Sequence, residues 1–229
     1  MPWYNKIADR MFEQQHIVDH AAEINALEGL TFKPFITVSR DPGSGGKPIA
    51  ELVAKKLNFR FYDKDLIDDI AKSAEARTEI MKSIDEKERT LTEDFVHNLL
   101  NPEYITERHY IKHLCKVILT VARQGQVVIL GRGSNFITPN AFGLHVRITA
   151  PYRVCVARAV EFERIPNQRA REVIRKTMAE RSGFVKQYFG KDINVPKYYD
   201  LTLNTTYLNL NEAAAIIIKA FEQKFPKGK

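Results

Sequence analysis

Residues 36–51 read ITVSRDPGSGGKPIAE: an apolar, β-branched run, a turn carrying three glycines and a lysine, then the start of a helical pattern. A strand feeding a glycine loop that feeds a helix builds a phosphate cradle, because the loop N–H groups and the positive helix N-terminus converge on one anion. The template for such loops is G-x-x-x-x-G-K-[ST]. With Lys47 as the template lysine, Asp41 replaces the first glycine and Pro48 the hydroxyl residue. The loop alone is also compatible with a glycine-rich turn that binds nothing.

A chain of 229 residues suffices for one sizeable α/β domain. Hydrophobic residues make up 44% and charged residues 28%, an ordinary globular balance. No run approaches the ~18 apolar residues that cross a bilayer, and the charged start MPWYNKIADRMFEQQH lacks an apolar signal core. The expected compartment is the cytoplasm, with Cys115 and Cys155 as buried thiols in apolar surroundings. The net charge of +7 favours anionic partners. Nucleotides fit this better than nucleic acid, for which there is no aromatic-basic recognition motif.

Trp3, Ile7, Met11, Val18, Ala21 and Ile24 recur at helical steps before Gly29, which predicts an N-terminal helical appendage over 1–32. It is expected to pack on the domain or on a second copy in a homodimer. The main domain spans 33–229. Strands are predicted at 35–39, 59–63, 126–130, 144–149 and 200–205. Helices are predicted over IAELVAKKL, much of 64–124, 152–163, 168–188 and NEAAAIIIKAFEQKF. Alternating strands and helices imply a mostly parallel sheet covered on both faces.

The candidate phosphate cradle comprises Gly43, Ser44, Gly45, Gly46, Lys47 and Pro48, with Lys47 as its mobile charge. Arg132 follows the strand VVIL, at the carboxyl end where open α/β sheets bind ligands. Asp63 closes the second strand. Arg153, Arg158, Arg164, Arg169, Arg171, Arg175 and Arg181 crowd the two later helices. A solvated face explains most of these, and Arg158, Arg164 and Arg181 are the expected phosphate ligands. The pairs His16/His20 and His109/His113 lack a third ligand and are not read as metal sites.

ITVSRDPGSGGKPIAELVAKKL, FYDKDLI, VVILGRGSNFI, ERSGFVKQYFGKD and YYDLTLNT, in this order from Phe35 to Phe221, resemble the cytidylate kinase-like proteins. The resemblance implies a three-layer P-loop kinase fold, with a helical acceptor-binding region at 64–124 and a lid at 158–190. It implies a magnesium-dependent transfer of the γ-phosphoryl group of ATP, or another nucleoside triphosphate, to a nucleoside monophosphate such as CMP or dCMP. Lys47, Arg181 and Asp63 are then the catalytic candidates, and Asp63, Arg132 and Arg181 face the acceptor. Asp63 is also the metal candidate, with Asp41 and Asp65 as the other carboxylates available. Arg132 matches the arginine of the family's G-R-D motif, with Gly133 in the aspartate's place. Aligned without a gap on the family loop G-P-S-G-A-G-K-G-T, Gly46 takes the lysine's position and Pro48 the threonine's. The damaged loop motivates an alternative, a non-catalytic or regulatory nucleotide-binding protein that retains the fold.

Overall fold

A computed structural model describes residues 32–73, Thr78 and residues 108–226. The appendage over 1–32 apart from Phe32, the His16/His20 pair, the His109 side chain and much of 64–124 lie outside the described residues.

Five strands form one sheet: Phe35–Arg40 (β1), Arg60–Tyr62 (β2), Val127–Leu130 (β3), Gly143–Thr149 (β4) and Leu201–Asn204 (β5). All neighbours are parallel and the order is β2-β3-β1-β4-β5. Each strand lies within one or two residues of its expected segment. The helices are Gly46–Leu57 (α1), Lys64–Lys72 (α2), Arg108–Gln124 (α3), Ser134–Ile137 (α4), Tyr152–Glu163 (α5), Asn167–Phe189 (α6) and Leu210–Lys224 (α7). The short α4 was not anticipated; it opens at Gly133, whose φ of 64° turns the chain straight after β3.

Strand alternation separates the two faces. Ile36, Val38, Val128, Leu130, Val146 and Ile148 pack against Ile49 and Val53 of α1 and Ala213 and Ile217 of α7. Phe35, Val127 and Ile129 pack instead against Ile67 of α2, Leu114 and Ile118 of α3, and Val185 and Phe189 at the end of α6. The result is the expected three-layer α/β architecture. Cys155, Val156 and Ala159 of α5 bury against Ala170 and Ile174 of α6, a smaller core that joins these two helices. Both cysteines are buried and free, and burial pushes the Cys155 thiol up to about 11. Among the described residues no helix is long and apolar enough to cross a membrane.

The topology positions the site. From β1 the chain leaves toward the β2 edge, whereas from β3 it crosses past β1 to β4 on the other side. Ligands of open α/β sheets bind where such connections diverge, outside the strands' carboxyl ends. Here those ends are Arg40 and the Gly131-Arg132 turn. The α2/α3 face of the sheet also turns polar toward this edge. Thr37 pairs with His145 and Ser39 with Arg147 across β1 and β4. Thr37 Oγ1 lies 2.6 Å from His145 Nδ1, and Arg147 Nη1 donates to Ser39 Oγ at 3.3 Å. Burial holds His145 down to about 4, so it is neutral near pH 7.

Candidate functional site

The glycine loop runs from the end of β1 into α1. Gly43 and Gly45 have φ of 76° and 79°, the left-handed region that glycine enters without cost. The loop is fastened from several sides. Ser44 Oγ donates to the Asp41 carbonyl at 2.8 Å and the Ile148 carbonyl at 3.3 Å, and Thr205 Oγ1 donates to the Ser44 carbonyl at 2.7 Å. The Asp41 carboxylate accepts from Arg147 Nη2 and Thr149 Oγ1, both at 2.5 Å. Ser44 and Asp41 are thus committed to loop shape through their side chains. The α1 N-terminus leaves the N–H groups of its first turn without intrahelical partners.

A cavity of about 640 Å³ opens over this loop. Residues 40–49 form its floor, Arg158 and Arg181 its cationic wall, and Phe162, Leu208 and Leu210 an apolar wall. Phe162 is 73% exposed, high for an aromatic ring. Arg158 is anchored through Thr205, donating to its Oγ1 at 2.9 Å and its carbonyl at 2.6 Å. A second cavity, about 410 Å³, is lined by Ser39, Lys64, Arg132, Asn135, Glu180 and Phe184, among others. Asn135 is buried there, and its Nδ2 has no hydrogen-bond partner among the described residues. Arg40 and Arg181 line both cavities.

The junction is strongly cationic. Burial, followed by the charges of Arg181 and Arg132, pulls Arg40 down to about 9, and Asp63 acts in the opposite direction. Burial also lowers Arg181, whose Nη1 donates to the Arg40 carbonyl at 2.9 Å. Guanidiniums crowded together in a half-buried space gain by binding an anion.

Arg132 stands at the mouth of the second cavity with φ of 54°. Its Nε donates to Asp68 Oδ1 at 2.7 Å and its Nη2 to Asp68 Oδ2, while its guanidinium lies 5.1 Å over the Phe184 ring. Burial alone would raise the Asp68 carboxyl, but hydrogen bonds from Arg132 and Tyr110 hold it below its usual range. Arg132 is thus paired with a carboxylate of α2. Asp63 is the N-cap of α2, accepting from the Leu66 N–H at 3.1 Å, and its other oxygen accepts from Lys47 Nζ at 2.8 Å. The Lys47 hydrogen bond holds the Asp63 carboxyl low, and the same bond raises Lys47. Lys47 and Pro48 lie on the loop cavity; Arg164 does not, ending α5 as an exposed residue with φ of 54°.

Among the described residues no three His, Cys, Asp or Glu side chains converge as a metal site. Pro48 offers no hydroxyl, and Asp65 is 80% exposed at its side chain. The residues present suit a magnesium ion delivered on a polyphosphate, which keeps most of its waters and takes one or two carboxylates. Asp63 meets the loop through Lys47 and lines neither cavity.

Arg40, Asp68, Arg147 and Asn135 were not singled out from the sequence. Two of them carried a signal: Arg40 ends an apolar strand next to a glycine loop, and Arg147 alternates with apolar residues along β4. Asp68 reads in sequence as one acid among several in DKDLIDD.

Residues 35–207 match the model of the cytidylate kinase-like family. The cytidylate kinase of Staphylothermus marinus is 27% identical over 194 residues, covering 84% of this chain and 98% of that protein. The cytidylate kinase of Pyrococcus horikoshii is 27% identical over 197 residues, covering 86% and 92%. Among solved structures, an uncharacterized protein from Eubacterium ventriosum superposes with a TM-score of 0.66 at 22% identity, over 83% of this chain and 99% of that one. At that identity it speaks for the fold alone.

Proposed function

The chain belongs to the cytidylate kinase-like family, and from that premise we propose that it transfers the γ-phosphoryl group of ATP, or of another nucleoside triphosphate, to a nucleoside monophosphate, CMP or dCMP first. The observation that carries this reading is the pair of cavities sharing Arg40 and Arg181. The loop cavity combines two kinds of lining, as a nucleotide would need: glycine loop and arginines for polyphosphate, and the apolar Phe162, Leu208 and Leu210 for a base. The second cavity offers Arg132, Lys64 and Asn135 to a phosphate monoester and Phe184 to its base.

In the transfer, an acceptor phosphate oxygen forms the new P–O bond at the γ-phosphorus. The bond to the β–γ bridging oxygen breaks, and the nucleoside diphosphate leaves with that electron pair. No proton has to move when the acceptor is a dianion. The demand is alignment and neutralisation of charge on three oxygens, which fixed guanidiniums supply. Asp63 would hold the magnesium delivered with the nucleotide, whose positive charge would offset that of the phosphates. Lys47 would exchange Asp63 for the polyphosphate.

The test is incubation with ATP, magnesium and each common nucleoside monophosphate, followed by separation of the products. Diphosphate from CMP or dCMP is expected, and none from any acceptor would refute the assignment. The non-catalytic reading draws on one feature, the engagement of Lys47 by Asp63 beside a loop lacking its hydroxyl. It predicts ATP binding by calorimetry without turnover.

A further inference from the structure

We infer that Arg40 and Gly46 form a reciprocal exchange: the cation that phosphate loops carry on the first turn of the following helix is supplied here by Arg40, from the end of β1, and Gly46 is glycine so that the Arg40 side chain can pass. The inference rests on the reading of the loop as a polyphosphate site, and it assigns Arg40 a direct contact with the donor phosphates and the group in transfer.

The observed start of α1 sets the register. Gly45 is the N-cap and Gly46 the first helical residue. With Gly45 as the second glycine of G-x-x-x-x-G-K-[ST], the lysine position falls on Gly46 and the first glycine on Arg40. Two of the three departures from the template are thus a glycine where a cation belongs and a cation where a glycine belongs, the third being Lys47 at the hydroxyl position.

Geometry links them. Gly43 and Gly45 need glycine for their backbone angles, but Gly46 is not among the positive-φ residues. What Gly46 requires is space: a Cβ there would lie 2.4 Å from Arg40 Cβ and 2.8 Å from its Cγ. At the other end of the side chain, a Cβ on Gly131 would lie 2.2 Å from Arg40 Nη1. Arg40 therefore runs from the loop past Gly46 to the turn after β3, along the boundary of both cavities. Lys47, the loop's own lysine, is one position late, its side chain is 53% exposed, and it has to leave Asp63 before it can reach a phosphate.

The experiment uses the full chain and two probes, magnesium ATP and inorganic tripolyphosphate, by calorimetry, with diphosphate formation measured in parallel. Arg40→Gln, which keeps the first two methylenes and a polar tip without the charge, and Arg40→Gly should each weaken both probes by about tenfold or more. Any turnover should fall about 100-fold, as when one fixed electrostatic donor is removed. The double variant Arg40→Gly with Gly46→Lys should recover most of the binding. Gly46→Ala should weaken binding in the wild-type background and do nothing further in Arg40→Gly, whose missing side chain leaves room for the methyl. Circular dichroism and melting confirm that each variant is folded. Wild-type affinity in folded Arg40→Gln, or a double variant no better than Arg40→Gly, overturns the exchange. Binding that follows the predicted pattern without diphosphate from any acceptor leaves the exchange standing and removes the kinase assignment.

Discussion

At the scale of single residues, the loop's glycines are not equivalent, and their replacement distinguishes strain from contact. Gly43 has φ of 76°, and a Cβ there would lie 2.5 Å from the Cys155 carbonyl oxygen, which as backbone cannot give way. Gly190 closes α6 with φ of 65° and nothing within 4 Å. Left-handed backbone costs an alanine about 1–2 kcal/mol. Gly190→Ala should therefore lose about that much in urea unfolding, and Gly43→Ala distinctly more. Equal losses would show that the Gly43 contact is unimportant. A single sequence revealed a glycine-rich turn between a strand and a helix, because glycines clustered there punctuate the chain. It did not reveal which position carries the working cation. That depends on the side-chain path of Arg40, and a path through space leaves no pattern along a chain.

At the scale of elements, α2 is held by two carboxylates with different duties. Asp63 caps its N-terminus and meets Lys47. Asparagine caps about as well as aspartate, while alanine costs about 1 kcal/mol. Asp63→Asn should then melt close to wild type and Asp63→Ala lower, and both should lose phosphotransfer if the charge serves the reaction. Retained activity in folded Asp63→Asn would free Asp63 of that role. Asp68 ties α2 to the turn after β3 through Arg132, with both side chains mostly buried. Removing one partner of such a pair costs roughly 3 kcal/mol, the loss expected for Asp68→Asn in urea unfolding at pH 7. Because the folded-state carboxyl lies below its usual value of about 4, its contribution is full above that pH and fades as pH falls through the lower folded value. The gap between wild type and variant should close in that acid window and not at alkaline pH. Every described strand and nearly every described helix was legible from apolar periodicity. The pairing of Asp68 with Arg132 was not, since it joins residues 64 positions apart.

At the scale of the whole molecule, the diverging connections of a β2-β3-β1-β4-β5 sheet place two cavities side by side, and Arg40 and Arg181 are their common wall. Arg158 belongs to the loop cavity alone. Arg158→Ala should thus raise KM for the triphosphate several-fold and leave the monophosphate KM unchanged, whereas Arg181→Ala should raise both and lower kcat. An Arg181 variant affected toward one substrate only would separate the cavities. In the proposed reading, one continuous surface holds donor and acceptor with their phosphates meeting at Arg40. Its most direct measurement is calorimetric titration of the full chain with a dinucleotide that joins adenosine and cytidine through five phosphates. One molecule per chain should bind, about 100-fold or more tightly than ATP, because one ligand fills both cavities. Affinity no better than that of ATP would contradict it.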